Sequence, residues 1–546
     1  MTLPSRPLPE AAGAASPAPQ PSRRAALGLA IGGGLALSGL GDQLATAGPG
    51  GPGFAQAPVL PAKVSDLAGG LNLQSTPAWH LARRVAPAAT KPVAQQIAAV
   101  GTKKWIKRQL NPKKIKDAKA DKLIRKYLSY ANMTGHQVYL ATDDNSYRAA
   151  KALSVSRTVR QVFTERHLYE SMVDTMSDHL YISADSKASD LVAWFDWSVL
   201  RKHALGKYSR MLTAAITHPA MLVYLDNNLN SKDSPNENLG RELLELHTVG
   251  PGNYDETDVR QSALLLTGHG FDWKTHTYRY TPAEHHVGPL KIMDFSHPNA
   301  SAAGGPAVLA AYLNHLAHQR GTATHIARRL AVRYVSDEPS EALVARLAQV
   351  YLDNDTSLAA VMRALLLSGE FAASVGQKWR RPQETMAVMV KARKPSTLKP
   401  KGKQSKNVWA IAGTVGWLLE LENHQPRYWP VVDGYPDNAA AWMSTQALLA
   451  HWNSANARTN WGDDPEWPSK SWRKALGITV GMDVTSAARR ITTDLTGYTW
   501  PDRHLSVVAA RLKGTSATTK LTADQLKYNL NPALHYVFSS PYFMLR

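Results

Sequence analysis

The chain has 546 residues, a formal net charge of +20 and no cysteine. Disulfides, thiolate metal sites and a cysteine nucleophile are therefore excluded, and the length suggests about three domain-sized units. Hydrophobic residues make up 44%, which supplies a large core without cross-links.

The chain opens on about 60 residues rich in Pro, Ala and Gly, a composition that does not fold. Within it, Ser22-Arg23-Arg24-Ala25-Ala26-Leu27-Gly28 resembles a twin-arginine export signal, with Ala26 at the position where an aromatic is usual. The glycine-rich stretch from Ala25 to Leu40 falls short of the ~20 apolar residues of a membrane span. Ala45-Thr46-Ala47 and Ala55-Gln56-Ala57 are small-x-small cleavage sites. Residues 1–57 thus read as a signal and disordered segment. The mature protein is expected folded in the periplasm, cell envelope or extracellular space. That route also favours a cofactor loaded before export. No later stretch is long and apolar enough to cross a bilayer.

Helix signals then recur. Thr76-Pro77 is an N-cap followed by Pro at the first helical position. Ser234-Pro235-Asn236-Glu237 reads as a capping box opening a helix from Pro235 to His247. Asp255 opens another that ends at Gly268. Pro339 starts a helix carrying Leu343, Val344, Leu347, Val350 and Tyr351 at helical spacing. Thr356 is expected to cap the next, and Thr522-Ala523-Asp524-Gln525 is a further capping box. Leu366-Leu367-Ser368-Gly369-Glu370-Phe371 and Val537-Phe538-Ser539-Ser540-Pro541-Tyr542-Phe543 echo each other. Residues 268–298, rich in His, Tyr, Gly and Pro, break the helical pattern, and Thr277–Tyr280 suits a hairpin arm. The expected class is mainly α: a multi-helix protein with a small irregular or β-hairpin insertion around 268–298. Its expected parts are 58–390, a basic linker 391–406, and 407–546 packed on the first.

Charge is concentrated. Lys103 to Lys126 holds eleven Lys/Arg against Asp117 and Asp121, and Lys391 to Lys406 holds seven and no acid. Such runs suit either a solvated face or a polyanion; nucleic acid is the weakest fit for an exported chain.

Several motifs in order resemble the bacterial domain-of-unknown-function family numbered 1800. They are His80-Leu81-Ala82-Arg83-Arg84, His218-Pro219-Ala220-Met221 before Tyr224-Leu225-Asp226, Asn236-Glu237-Asn238 with Arg241 to Thr248, Leu266-Thr267-Gly268, His285, Arg381-Pro382 with Glu384, Gly434-Tyr435-Pro436-Asp437, and Ser540 to Phe543. The resemblance implies export and a mainly helical fold, and no activity. Members often occur beside an exported sulfatase- or phosphatase-like family, which makes such a protein a candidate partner. This chain departs from the family at His269 (usually Trp), at His286 (usually Asp) and at Met176-Ser177-Asp178-His179-Leu180 (usually Trp-x-Asn-His-Phe).

Helix geometry places Asn238, Arg241, Glu242 and Glu245 within roughly 100° of one another. That stripe is either a surface laced with ion pairs or a cleft wall bearing an acid, base or metal ligand. Glu242, Glu245 and Arg241 are the catalytic candidates. His269, His276, His285, His286 and His297 cluster, and histidine is the commonest transition-metal ligand. His285, with His247 and His179, is the candidate set for a divalent metal. His247 lies about 160° around the helix from Glu245, so these two converge only if the helix breaks. Asn236, Asn238, Arg381 and Asp437 are the binding candidates, and Asp433–Asp437 reads as a tight turn packing Tyr435. Trp461 to Trp467 mixes aromatics with acids, as a sugar-stacking loop, a Ca²⁺ site or a capped helix start does. Two functions stay open. One is a metal-dependent hydrolase acting on an envelope or extracellular polymer. The other is a non-catalytic binding or assembly protein for an anionic polymer, such as an anionic polysaccharide, or for a sulfatase-like partner.

Overall fold

Side-chain caps set where many of the helices begin in the computed structural model. It describes residues 71, 73–142, 147–399, 408–460 and 467–546. The segment read as an export signal, the two small-x-small stretches, residues 400–406 of the expected basic linker and Trp461–Glu466 lie outside the described residues. Thr76 accepts from the Trp79 amide and opens the Pro77–Val85 helix. Reciprocal capping boxes at Asp255 and Thr522 open Glu256–Leu265 and Ala523–Tyr528. The two echoing segments share one device. Ser368 and Ser540 each donate back to a helix-end carbonyl and accept the amide of Phe371 or Phe543 three residues on.

Three expected starts are displaced. Ser234 pairs with Ser231 in a turn, so the helix expected from Pro235 begins at Asn238, where the Asn236 side chain accepts the Asn238 amide. Ser357, not Thr356, caps Leu358–Leu366; Thr356 takes a positive φ and bonds Ser209 instead. Pro339 precedes the cap, and Ser340 opens Glu341–Asp353. The expected linker also starts late, because Lys391 still belongs to the Pro382–Ala392 helix.

The chain is mainly α. Among the described residues the strands form two antiparallel hairpins: β1 (His269–Asp272) with β2 (Thr277–Tyr280), and β3 (Leu290–Ile292) with β4 (Phe295–His297). Gly268 leads into β1 with φ +77°, and a Cβ there would lie 2.7 Å from the Thr281 carbonyl oxygen.

Two apolar cores are present. One is built from helices between Pro77 and Phe371, with Leu81, Met172, Tyr208, Leu243, Leu313, Ile326 and Leu347. The other joins Met386, Leu418, Leu495, Leu534 and Phe543 to Ile124, Val155 and Val159. The Tyr147–Phe163 helix serves both, giving Leu153 to the first and Val155 and Val159 to the second. Residues early in the chain thus complete the late core.

His80, Arg83 and Arg84 act as a clasp on chain ends that lack helical partners. The His80 ring meets the Phe371 carbonyl at 2.7 Å, Arg83 donates to Thr496 at 2.8 Å, and Arg84 donates to Val335 at 2.9 Å. The final residues lie antiparallel to residues 378–380: Arg380 donates its amide to Met544 and Arg546 its amide to Lys378, both at 2.8 Å. That pairing delivers the Arg546 side chain to the interior.

Candidate functional site

The His167–His179 helix carries Asp174 and Asp178 one turn apart near its C-terminal end, where the helix dipole disfavours negative charge. Arg381 compensates, reaching Asp178 at 2.6 Å and also pairing with Asp174. Arg381 stands just before Pro382 at the start of the Pro382–Ala392 helix. Glu384 reaches back to its amide at 3.1 Å. The other Glu384 oxygen receives Arg333 and Arg546, each at 2.7 Å. Asp437 receives the same two guanidiniums at 3.2 Å and Lys378 at 3.6 Å. Burial alone would raise the Glu384 carboxyl, but Arg333, Arg546 and Arg381 hold it at about 2. Asp437 is likewise driven well below the usual range, because Lys378, Arg333, Arg546 and Arg381 outweigh its burial. A network of this kind persists because each charge is paired.

Gly434 brings Asp437 to the network. It has φ +75° and touches the Asp178 backbone so closely that no Cβ fits. The Asp433–Asp437 turn therefore closes directly on the end of the His167–His179 helix. As the sequence suggested, the turn packs Tyr435, whose hydroxyl donates to Gln425 at 2.6 Å.

Between this turn and the Arg320–Tyr334 helix lies a cavity of about 320 Å³. Asp178, His325, Arg328, Arg329, Arg333, Asp433 and Asp437 contribute to its wall. Arg333 and Asp437 are consumed by the network, and Arg328 pairs with Glu341 outside it. Arg329 differs: half-buried, it makes no hydrogen bond or ion pair with a described residue, although the charges of Asp178, Asp437 and Asp433 reach it. Exposed Asp433 receives the Trp429 indole N–H at 3.3 Å.

Three histidines meet at this end. The rings of His179 and His247 stand 6.2 Å apart and those of His179 and His325 stand 5.4 Å apart, both edge-on. The contacts fix the tautomers. Tyr208 donates to the His247 carbonyl, so at 2.8 Å the His179 Nε2 must donate to the Tyr208 oxygen. His247 Nδ1 donates to the His179 carbonyl at 3.0 Å, and His325 Nδ1 to the Thr248 carbonyl at 2.9 Å. The remaining nitrogens of His179 and His247 are buried with no hydrogen-bond partner among the described residues. Burial, His325 and Arg329 hold the His247 imidazole at about 4 despite the pull of the His179 carbonyl. Burial and Arg329 likewise push His179 well down, so both rings are neutral. Among the described residues, no three His, Asp or Glu side chains are grouped to hold a metal ion.

The catalytic candidates stand elsewhere. The helix from Asn238 becomes a π-turn over Leu243–His247, a wider winding often found at functional sites. It turns His247 toward His179. Arg241 pairs with Glu237 at 3.2 Å and with Glu256 at 2.7 Å, rather than with Glu245. Glu245 accepts from the Tyr254 hydroxyl at 3.0 Å, and Glu242 is buried. Asn236 accepts the Asn238 amide at 2.9 Å where the helix begins. Both ring nitrogens of His285 are engaged, by the Thr267 carbonyl at 2.8 Å and by Asn299 at 3.1 Å. Asn299 also bonds the His286 carbonyl and His297 Nδ1, so these histidines secure the hairpins. Glu242, Glu245, Arg241 and His285 are not among the described residues lining the cavity. The structure brings together His179, His247, Arg381 and Asp437 and adds His325, Arg329, Arg333, Asp433 and Arg546. The missed signal is the spacing on the Arg320–Tyr334 helix, where His325, Arg329 and Arg333 stand four residues apart on one face.

Residues 80–545 match the family described as protein of unknown function (DUF1800), and the chain belongs to that family. No curated protein and no solved structure matches it.

Proposed function

We propose that this is an exported protein that grips an acidic substituent of an envelope or extracellular polymer in the cavity beside Arg329. One observation carries the reading: a half-buried guanidinium lines a cavity and has no hydrogen-bond or ion-pair partner among the described residues. Guanidinium binds carboxylate, sulfate and phosphate by paired hydrogen bonds. Asp433 supplies an exposed acceptor for hydroxyls of the same ligand. Arg333 and Asp437 are tied up in the buried network and Arg328 pairs with Glu341, so among the described residues Arg329 is the cavity cation left to meet a ligand. The test is co-precipitation with the acidic polysaccharide fraction of the host envelope, before and after chemical reduction of its carboxyl groups. Binding to the acidic form that is lost on reduction supports the reading. Equal binding of both forms excludes a carboxylate, and binding that also survives hydrolytic removal of sulfate and phosphate esters contradicts the reading.

The second reading, a metal-dependent hydrolase, draws on the buried free nitrogens of His179 and His247. Neutral rings whose other nitrogen is fixed by an oxygen have the form that metal ligands take. Stoichiometric metal in protein from the native exporter, lost in His179→Ala, together with release of reducing ends from the polymer, would establish it. Metal-free protein that leaves the polymer intact removes it.

A further inference from the structure

The eleven basic residues from Lys103 to Lys126 are all exposed. The two acids of the run are turned inward. Asp117 is buried, accepting from the Thr164 hydroxyl at 2.7 Å and the Glu165 amide at 3.0 Å, and Asp121 pairs with Arg160 at 2.8 Å. None of the eleven forms an ion pair with an acid among the described residues. The charge is set out by helical geometry. On Thr102–Gln109, Lys103, Lys104, Lys107 and Arg108 fall within roughly 140°, opposite buried Trp105, Ile106 and Gln109. On Ala118–Tyr127, Lys119, Lys122, Arg125 and Lys126 fall within roughly 120°, opposite Ala120, Leu123 and Ile124. Lys113, Lys114 and Lys116 occupy the connection, which is held down by the Arg166 side chain on the Ile115 carbonyl at 2.9 Å.

Apolar side chains stand close by. The Ser129–Asn132 turn packs on the Ala118–Tyr127 helix, and the Tyr130 hydroxyl meets the Ala141 carbonyl at 3.4 Å. The Gly135–Thr142 helix so anchored leaves Tyr139 55% and Leu140 67% exposed. Lysines that meet no described acid, together with the exposed Tyr139, which leans on the His276 ring, and Leu140 on a nearby helix, suit a lipid headgroup layer. A sugar polymer or nucleic acid gives Leu140 no partner. Nine of the eleven cations are lysine, point charges that answer a diffuse negative surface better than the paired geometry of individual phosphates.

We propose that the Lys103–Lys126 face docks this protein on an anionic lipid surface, with Tyr139 and Leu140 entering the headgroup layer. The test is co-sedimentation of the full chain with vesicles of phosphatidylcholine, and of phosphatidylcholine with phosphatidylglycerol, across rising salt. Binding is expected to the anionic vesicles alone and to weaken as salt rises. The triple variant Lys103→Gln/Lys104→Gln/Lys107→Gln should bind roughly hundredfold more weakly, from the contribution of each lysine near a charged membrane. The variant Lys474→Gln/Lys520→Gln/Lys527→Gln, with the same change in charge elsewhere on the surface, should bind as the parent does. Tyr139→Ser/Leu140→Ser should weaken what remains at high salt. Absence of binding to anionic vesicles at low salt overturns the proposal, and so does equal loss in the two lysine triples. Capture by soluble dextran sulfate without vesicle binding also overturns it and assigns the face to a polymer.

Discussion

Gly434 rests on the backbone of Asp178, with φ +75° and no space for a Cβ. That contact sets the distance between the turn carrying Asp433 and Asp437 and the helix carrying Asp174 and Asp178. Gly434→Ala should therefore cost more than the strain of a positive φ. Gly481 is the comparison, since its φ is +81° and an added Cβ meets nothing within 4 Å. Gly481→Ala should cost about 1 kcal/mol, and Gly434→Ala about 3 kcal/mol or more through forced displacement of the turn. Urea midpoints measure both; equal shifts would mean that the contact at Asp178 is not limiting.

Arg546 brings charge into the interior from the last residue. Arg546→Met leaves Glu384 and Asp437 short of a cation and should destabilise by about 3–5 kcal/mol. Adding Glu384→Gln should recover part of that loss, because it removes a stranded charge. A double-mutant cycle measures the recovery; strict additivity would show that the two side chains do not interact.

Acid should destabilise the protein in two stages. His247 is lowered from 6.5 to about 4 by burial, His325 and Arg329. The unfolded chain therefore takes up a proton first as pH falls. Stability is full above about 6.5 and is lost toward about 4, by about 3 kcal/mol for this one ring. Glu384, lowered from 4.5 to about 2, keeps its contribution above about 4.5 and loses it as pH falls through about 2. His247→Gln should reduce the slope of the first stage, to which buried His80, His179, His218 and His269 also contribute because burial lowers them too, and leave the second. Denaturant unfolding at a series of pH values gives both slopes, and an unchanged upper slope would place the titration in other groups.

The capping box at Thr522, the starts at Thr76-Pro77 and Asp255, and the arm at Thr277–Tyr280 were legible because their signals are local. The start at Asn238 was misplaced because Pro235 and Ser234 satisfy the same pattern in a turn as in a helix. The π-turn at Leu243–His247 leaves no mark in Leu-Leu-Glu-Leu-His, since packing and not propensity widens it. His179, His247, Arg381 and Asp437 were visible as motif residues, but their meeting was not, because Asp178 and Arg381 are joined across 203 positions. His325, Arg329 and Arg333 carried a readable spacing. What identifies Arg329 as the free member is which partners reach the other charges, and only the fold supplies that.

The central claim is that Arg329 is the ligand-gripping group, and titration calorimetry tests it most directly. The acidic polysaccharide fraction of the host envelope would be titrated into the parent chain, Arg329→Lys and Arg329→Ala, each shown to unfold at the same denaturant midpoint. The account predicts saturable binding by the parent. It predicts a loss of about 1.5–3 kcal/mol in Arg329→Ala, as for a hydrogen-bonded charge, and an intermediate loss in Arg329→Lys. Unchanged affinity in Arg329→Ala would contradict it.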